Sequence, residues 1–261
     1  MRPLVLLSND DGYRSGGLRA LRDAVATWAD TVIVAPDTEQ SATSHALTLH
    51  RPLRAREHET GVFAIDGTPA DCVYIALHAG TKFLPRWPDL VLSGINRGLN
   101  LGQDAFYSGT VAAAREGALR GVPAIAVSAD KKADRPRVAK LAADLGQALL
   151  AVAPHGGKRP TPIGPRTTPL LNLNVPPDFN GEVRKARLGA RLYDETIELR
   201  HDPRGREYIW LGGPQVRHEK DPGSDTDAYD DGAAPLTALA LDLTLTNDGG
   251  VLDNVLAKLT G

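Results

Sequence analysis

Cysteine is almost absent from this sequence. One residue, Cys72, stands in 261, so neither an intrachain disulfide framework nor a Cys-rich zinc site can be built. It falls in an apolar, helix-like run, where a thiol packs as a small inert hydrophobe. An excess of charge of one sign is lacking too. Thirty basic against thirty-two acidic residues leave −2, which gives no global footprint for nucleic acid or an anionic membrane. No apolar run has the length of a membrane span, and the first one stops at Asn9, too early for a signal peptide. A soluble cytoplasmic protein is expected. Several chemistries are missing their motifs. No G-x-G-x-x-G follows the first apolar run, which disfavours a nicotinamide or flavin cofactor. No G-x-S-x-G elbow follows the second, which disfavours a serine hydrolase. There is no internal repeat.

What is present is a series of short apolar runs that stop at polar residues. Apolar residues make up 42% of the chain, enough for a substantial core. Leu4-Val5-Leu6-Leu7 reads as a parallel strand covered on both faces, ending at Ser8-Asn9-Asp10-Asp11-Gly12. Leu18, Leu21, Val25 and Trp28 then mark one face of a helix, and Thr31–Ala35 gives the next strand. This β-α-β beginning implies a doubly wound, mostly parallel, Rossmann-like α/β sheet. Further strands are expected at Leu90–Leu92, Val122–Ser128 and Leu170–Val175. Helices are expected from Thr68-Pro69, from near Thr110, and over Val138–Val152. Leu47–Leu53 and Val62–Ile65 suggest a β-hairpin, and Ala153–Pro169 a surface loop. From Gly181 the pattern turns to alternation. A β-rich lobe used in oligomerisation is expected over 181–235, after a catalytic core over 1–180. A C-terminal strand (Leu236–Leu245) and helix (Val251–Leu259), over 236–261, then return to the core or exchange between subunits. The acids Asp221, Asp225, Asp227, Asp230 and Asp231 read as a solvated loop.

In such a sheet, ligands bind beyond the carboxyl ends of the strands. Three ends present Asp10 with Asp11, Ser41, and Asn96. Each alone is compatible with a plain turn or helix cap. Together, two carboxylates and two neutral oxygens can hold one divalent cation with positions left for water and substrate. Ser108-Gly109-Thr110 opens an alanine-rich helix, whose free N–H groups and dipole suit an anion; an ordinary N-cap would use the same residues. A hard cation beside an anion cradle points to a phosphoryl group. His45 lies close by, but histidine is absent from these motifs themselves, so zinc is the weaker choice.

The sequence resembles the survival protein SurE family of metal-dependent 5′/3′-nucleotidases. The likeness is carried by Leu6–Gly12, by Val34-Ala35-Pro36-Asp37 with Ser41, and by Gly67–Val73. Its most specific part is the run from Ser93 to Gly117, with Ser93-Gly94-Ile95-Asn96, Asn100-Leu101-Gly102, Asp104 and Tyr107–Val111. Weaker echoes are Gly121-Val122-Pro123, Leu171–Pro176 and Asp202-Pro203-Arg204-Gly205. The resemblance implies Asp10, Asp11, Ser41 and Asn96 as ligands of one divalent ion, Mg²⁺ or Mn²⁺ before Ca²⁺. It gives Asp10, Asp11 and Asn96 the catalytic role. It implies phosphate binding by Ser108, Gly109 and Thr110, with Asn9 beside them in support of the first loop. It also implies nucleoside monophosphate substrates and a homodimer or homotetramer. The chain departs from the pattern at Thr38, Ala42 and near Asp230–Leu239. Two other classes remain: a haloacid-dehalogenase-like phosphatase, against which the missing D-x-D at Asn9–Gly12 counts, and a non-catalytic nucleotide- or metal-binding protein.

Overall fold

Leu4–Leu7 are apolar at every position because the strand they form is covered on both faces. In the computed structural model, which describes residues 2–153, 167–193, 197–211, 216–245, 247 and 249–260, they lie in the middle of the main sheet. Val5 and Leu7 face a cluster with Leu18, Leu21 and Ile125. Leu4 and Leu6 face the other, with Cys72, Val73 and Val111.

The elements in chain order are β1 (Leu4–Ser8), α1 (Gly16–Val25), β2 (Asp30–Pro36), β3 (Ala55–Glu59), β4 (Val62–Ile65) and α2 (Pro69–His78). There follow β5 (Leu90–Arg97), α3 (Asp104–Tyr107), α4 (Gly109–Leu119), β6 (Ala124–Ala129), α5 (Arg135–Val152) and β7 (Leu170–Val175). The remainder comprises β8 (Val183–Ala186), β9 (Arg191–Tyr193), β10 (Ile197–His201), β11 (Glu207–Leu211), β12 (Val216–His218), α6 (Asp225–Asp230), β13 (Ala234–Ala238) and α7 (Val251–Thr260). The main sheet has nine strands in the order β3-β4-β2-β1-β5-β6-β7-β13-β8. The six from β4 to β7 are mutually parallel. Helices α1 and α5 pack together on one side, α2 and α4 on the other. This is the doubly wound, mostly parallel α/β fold read from the sequence. Thr68 and Asp71 close a reciprocal capping box at the start of α2, with Pro69 in its first turn.

Several expectations are corrected. The first arm of the hairpin is the charged run Ala55–Glu59, not Leu47–Leu53. This strand is exposed throughout and lies at the sheet's edge, where charged side chains guard a free edge and no apolar face is demanded. β5 does not stop at Leu92 but runs on to Arg97, with a register shift against β6 between Ser93 and Asn96. Gly94 makes the close approach possible: a Cβ there would lie 2.3 Å from the Val127 carbonyl oxygen. The segment after Gly181 is not wholly a separate lobe, since β8 joins the main sheet, parallel to β13. Only β9–β12 and β10–β11 form small antiparallel sheets of their own. The last strand of the main sheet ends at Ala238; beyond it Leu239 and Leu241 pack partly on the core, while Leu243 and Leu245 are exposed. The acidic stretch is not simply a solvated loop, because Asp225 is completely buried at the start of α6. Most of the expected loop over Ala153–Pro169 lies outside the described residues.

Candidate active site

The sheet order places a crevice at the end of β1. From β1 the chain winds one way to β2 and β4, and the other way through β5, β6 and β7. Carboxyl ends that diverge at such a switch point leave room for a ligand. Asp10 and Asp11 follow β1, and Asn96 lies near the end of its neighbour β5. With Ser41 and Ser108 they line one cavity of about 850 Å³. Four residues proposed from separate motifs as ion ligands therefore border the same space.

Asp10 is only 6% exposed. Burial pushes its carboxyl up to about 6; the Thr110 hydroxyl acts against this, and the Asp11 charge adds to it. Thr110 Oγ1 donates to Asp10 Oδ1 at 2.5 Å. Burial also raises Asp11, chiefly opposed by the Arg97 backbone N–H, which donates to Asp11 Oδ2 at 3.3 Å. Among the described residues no cation counters the burial of Asp10. Asp11 has the Arg97 and Arg135 charges acting on it, but Asp10 has none, and a divalent cation would supply that compensation.

Asn96 donates from Nδ2 to the Gly98 carbonyl at 3.1 Å, which orients the amide and leaves Oδ1 uncommitted among the described residues. Ser41 is exposed and donates to Glu39 Oε1 at 2.7 Å, so its oxygen lone pairs stay available. The loop that carries it is well anchored. Gln40 N donates to the Asp10 carbonyl at 2.8 Å, and Ser44 Oγ to the Phe106 carbonyl at 2.8 Å. His45 Nε2 lies 2.8 Å from Glu116 Oε2, which makes His45 an anchor of this loop. No group of three or more His, Cys, Asp or Glu side chains among the described residues could hold a metal. An ion at this site would therefore take neutral oxygens from Asn96 and Ser41 beside the two carboxylates, a donor set that suits a hard cation.

The proposed phosphate residues divide by geometry. Ser108 caps α4, accepting from Val111 N at 3.1 Å, but its own O–H proton remains uncommitted among the described residues. Thr110 is wholly buried and its hydroxyl donates to Asp10. Gly109 presses on Asp10: an added Cβ would sit 2.9 Å from Asp10 Cβ and 3.0 Å from Pro69 Cγ. Asn9 uses both amide hydrogens within its own loop, on the Gly12 carbonyl at 3.0 Å and Ser15 Oγ at 2.8 Å. It supports the loop and has no donor left for a phosphate.

Sequence reasoning missed three supports of the site. A buried amide network pins the loop after Asn96. Asn100 N donates to Asn174 Oδ1 at 2.7 Å, Asn100 Nδ2 to Ser128 Oγ at 2.7 Å, and Asn172 Nδ2 to the Asn100 carbonyl at 2.8 Å. Two asparagines inside the apolar run Leu170–Val175 were the available signal. Asp225 accepts from Gly102 N at 2.9 Å and Gly189 N at 2.8 Å, joining the site loop to the approach of β9. The far wall of the cavity comes from β9 itself, where Arg191 Nη1 pairs with Asp104 Oδ2 at 2.5 Å. Nothing in the local pattern of Arg191–Tyr193 announces that contact.

Comparison with known proteins adds an independent line. The family model described as survival protein SurE matches residues 5–195. A curated relative from Sorangium cellulosum named 5′-nucleotidase SurE is 58% identical over 259 residues, covering 99% of this chain and 98% of the relative. One of the same name from Myxococcus xanthus is 47% identical over 92% of this chain and 88% of its own length. The crystal structure of the SurE protein from Aquifex aeolicus, 35% identical, superposes with a TM-score of 0.79 over 98% of this chain and 100% of that one. In sequence, in fold and in the ordered motifs around Asp10 and Asn96, the chain belongs to the survival protein SurE family.

Proposed function

We propose that this protein hydrolyses nucleoside monophosphates to nucleoside and phosphate, as a 5′/3′-nucleotidase that depends on one divalent cation, Mg²⁺ or Mn²⁺. The observation that carries the reading is the buried Asp10 carboxylate, with no cation beside it among the described residues, next to Asp11 at the sheet's switch point, in a cavity shared with Asn96 and Ser41. The names of the relatives, 5′-nucleotidase, support the substrate class. Asp10, Asp11, Asn96 and Ser41 would hold the ion. Bound there, it would supply Lewis acidity toward a phosphoryl oxygen. The chain's own residues do the rest. Ser108, at the start of α4, lines the cavity and would meet the phosphate, Thr110 keeps Asp10 oriented, and Asn9 holds the loop between Asp10 and Ser15. Asn96 is fixed by its bond to Gly98.

A homodimer or homotetramer belongs to the same proposal. Ile197, Leu199, Ile209 and Trp210 on the β10–β11 hairpin are at least half exposed, and so are Val251, Leu252, Val255, Leu256 and Leu259 on α7. Apolar surface on this scale marks an interface. A cytoplasmic location is proposed as well, to be tested by fractionation. No helix among the described residues is long and apolar enough to cross a membrane.

Phosphate release from AMP, measured with Mg²⁺ or Mn²⁺ and again with EDTA, tests the chemistry. Turnover should need the ion, and Asp10→Asn should lose more than the roughly 10–100-fold that removing a mere supporting partner costs. Full activity in EDTA would overturn the metal-dependent reading.

A further inference from the structure

We propose that Tyr107 and Tyr193 form the nucleobase subsite of this cavity, supplying the aromatic surface on which the base of the substrate stacks. The inference rests on the nucleotidase reading above and says which residues recognise the nucleoside. The cavity lining is chemically mixed. Asp10, Asp11 and Asn96 contribute polar, anionic lining, while Tyr107, Leu192 and Tyr193 contribute apolar and aromatic surface. Tyr107 is 64% exposed and Tyr193 40%. Aromatic faces open to water inside a cavity suit a flat, partly apolar ligand, and a nucleobase is that part of a nucleoside monophosphate.

One joint holds the Tyr193 ring and the backbone that carries Tyr107. α3 begins at Asp104 and ends at Tyr107. Asp104 Oδ2 accepts from the Tyr193 hydroxyl and from Arg191 Nη1. The Arg191 and Asp104 side chains are 17% and 14% exposed, so this pair is largely shielded from water. The Arg191 guanidinium lies 5.6 Å from the centre of the Tyr193 ring. Gln103 straps the two segments together, accepting from Arg191 N at 2.9 Å and donating to the Arg191 carbonyl. On the other side, the Tyr107 carbonyl accepts from Ser44 N at 3.0 Å, in the loop that carries Ser41. The Tyr193 ring, fixed before the ligand arrives, loses little freedom on binding. Stacking also tolerates any base, because every base has a π-face. The subsite therefore recognises that a base is present, not which one.

The test compares AMP with ribose 5-phosphate, which keeps the sugar and phosphate and lacks the base. Wild-type protein, Tyr107→Leu, Tyr193→Leu and Tyr193→Phe are assayed with Mg²⁺ or Mn²⁺. The Leu variants should raise KM for AMP by about 5- to 100-fold, the span of base–aromatic stacking. Constants for ribose 5-phosphate should stay within about twofold, since the base is what the ring contacts. Tyr193→Phe keeps the ring and loses only the bond to Asp104, so it should fall between wild type and Tyr193→Leu. CMP and GMP should suffer as AMP does. If wild type prefers AMP to ribose 5-phosphate and both Leu variants keep that preference, the base binds elsewhere and the proposal falls while the nucleotidase reading stands. Equal losses on both substrates would also overturn it, by making the rings supports of the phosphate site. If wild type hydrolyses neither compound, the nucleotidase reading fails and takes this one with it.

Discussion

Asp10 carries a charge the fold does little to neutralise, and that has a measurable cost. Its carboxyl is pushed up to about 6 by burial, against about 3.9 in an unfolded chain. The folded state thus binds the proton more tightly. Its contribution to stability is fully present below about pH 4 and is lost as pH rises through about 6. A shift of about two pH units corresponds to about 3 kcal/mol. In EDTA, Asp10→Asn should therefore be more stable than wild type at pH 7.5, by up to about 3 kcal/mol, with the gap closing toward pH 4. Urea unfolding at both pH values measures it. A wild type that is the more stable protein at pH 7.5 in EDTA would contradict the account. Thr110 works in the opposite sense, since its hydroxyl favours the charged carboxylate. Thr110→Val should move the acidic limb of the pH–rate profile upward by roughly one pH unit, the scale of a hydrogen bond to a charged group, while Thr110→Ser keeps it in place. Gly109→Ala should lose activity at every pH, because its methyl group would displace Asp10 itself. An unchanged kcat/KM in that variant would show that Asp10 has room to move.

Among the elements, the strands covered on both faces were the most legible. β1, β6 and β7 read directly as apolar runs, and the polar residues that end β1 gave the site its first two members. β3 was not legible, because an edge strand with both faces in solvent has no apolar period to reveal. The ligand candidates Asp10, Asp11, Ser41 and Asn96 came from local motifs, so distance in sequence was no obstacle. The bond of Thr110 to Asp10 was not legible for a related reason: whether a side chain serves a ligand or a neighbour depends on contacts made a hundred residues apart in sequence. Asp225 shows the same limit. One acid among several looked solvated, yet it joins the loop at Gly102 to the approach of β9 at Gly189. Its removal should act on both. Asp225→Ala leaves the buried Gly102 N–H and the partly buried Gly189 N–H without partners, at about 1–3 kcal/mol for the buried one and less for the other. A clear fall in melting temperature is expected, with faster hydrogen exchange at the amides of Gly102 and Gly189. Unchanged protection at both amides would show that the latch is not needed.

At the scale of the whole molecule, exposed apolar surface is concentrated on the β10–β11 hairpin and on α7. Trp210→Lys places a charge on the first of these. Light scattering should show a smaller particle for this variant than for wild type, at the same concentration and with an intact far-ultraviolet spectrum. A wild type that is monomeric throughout would remove the interface reading. The place of β13 has a different consequence. β7 and β8 are close in sequence but do not pair; β13, about fifty residues later, lies between them, antiparallel to one and parallel to the other. As the chain leaves the ribosome, β7 can complete the parallel sheet at once, but β8 has no partner until Ala234–Ala238 has emerged. Throughout that interval β7 presents a bare edge, and the loop between the two strands of the eventual pair stays open. Chains cut short before Ala234 would keep the carboxylates on a nearly finished sheet yet never seal its last edge. Such fragments would be lost to aggregation rather than persist as inactive protein.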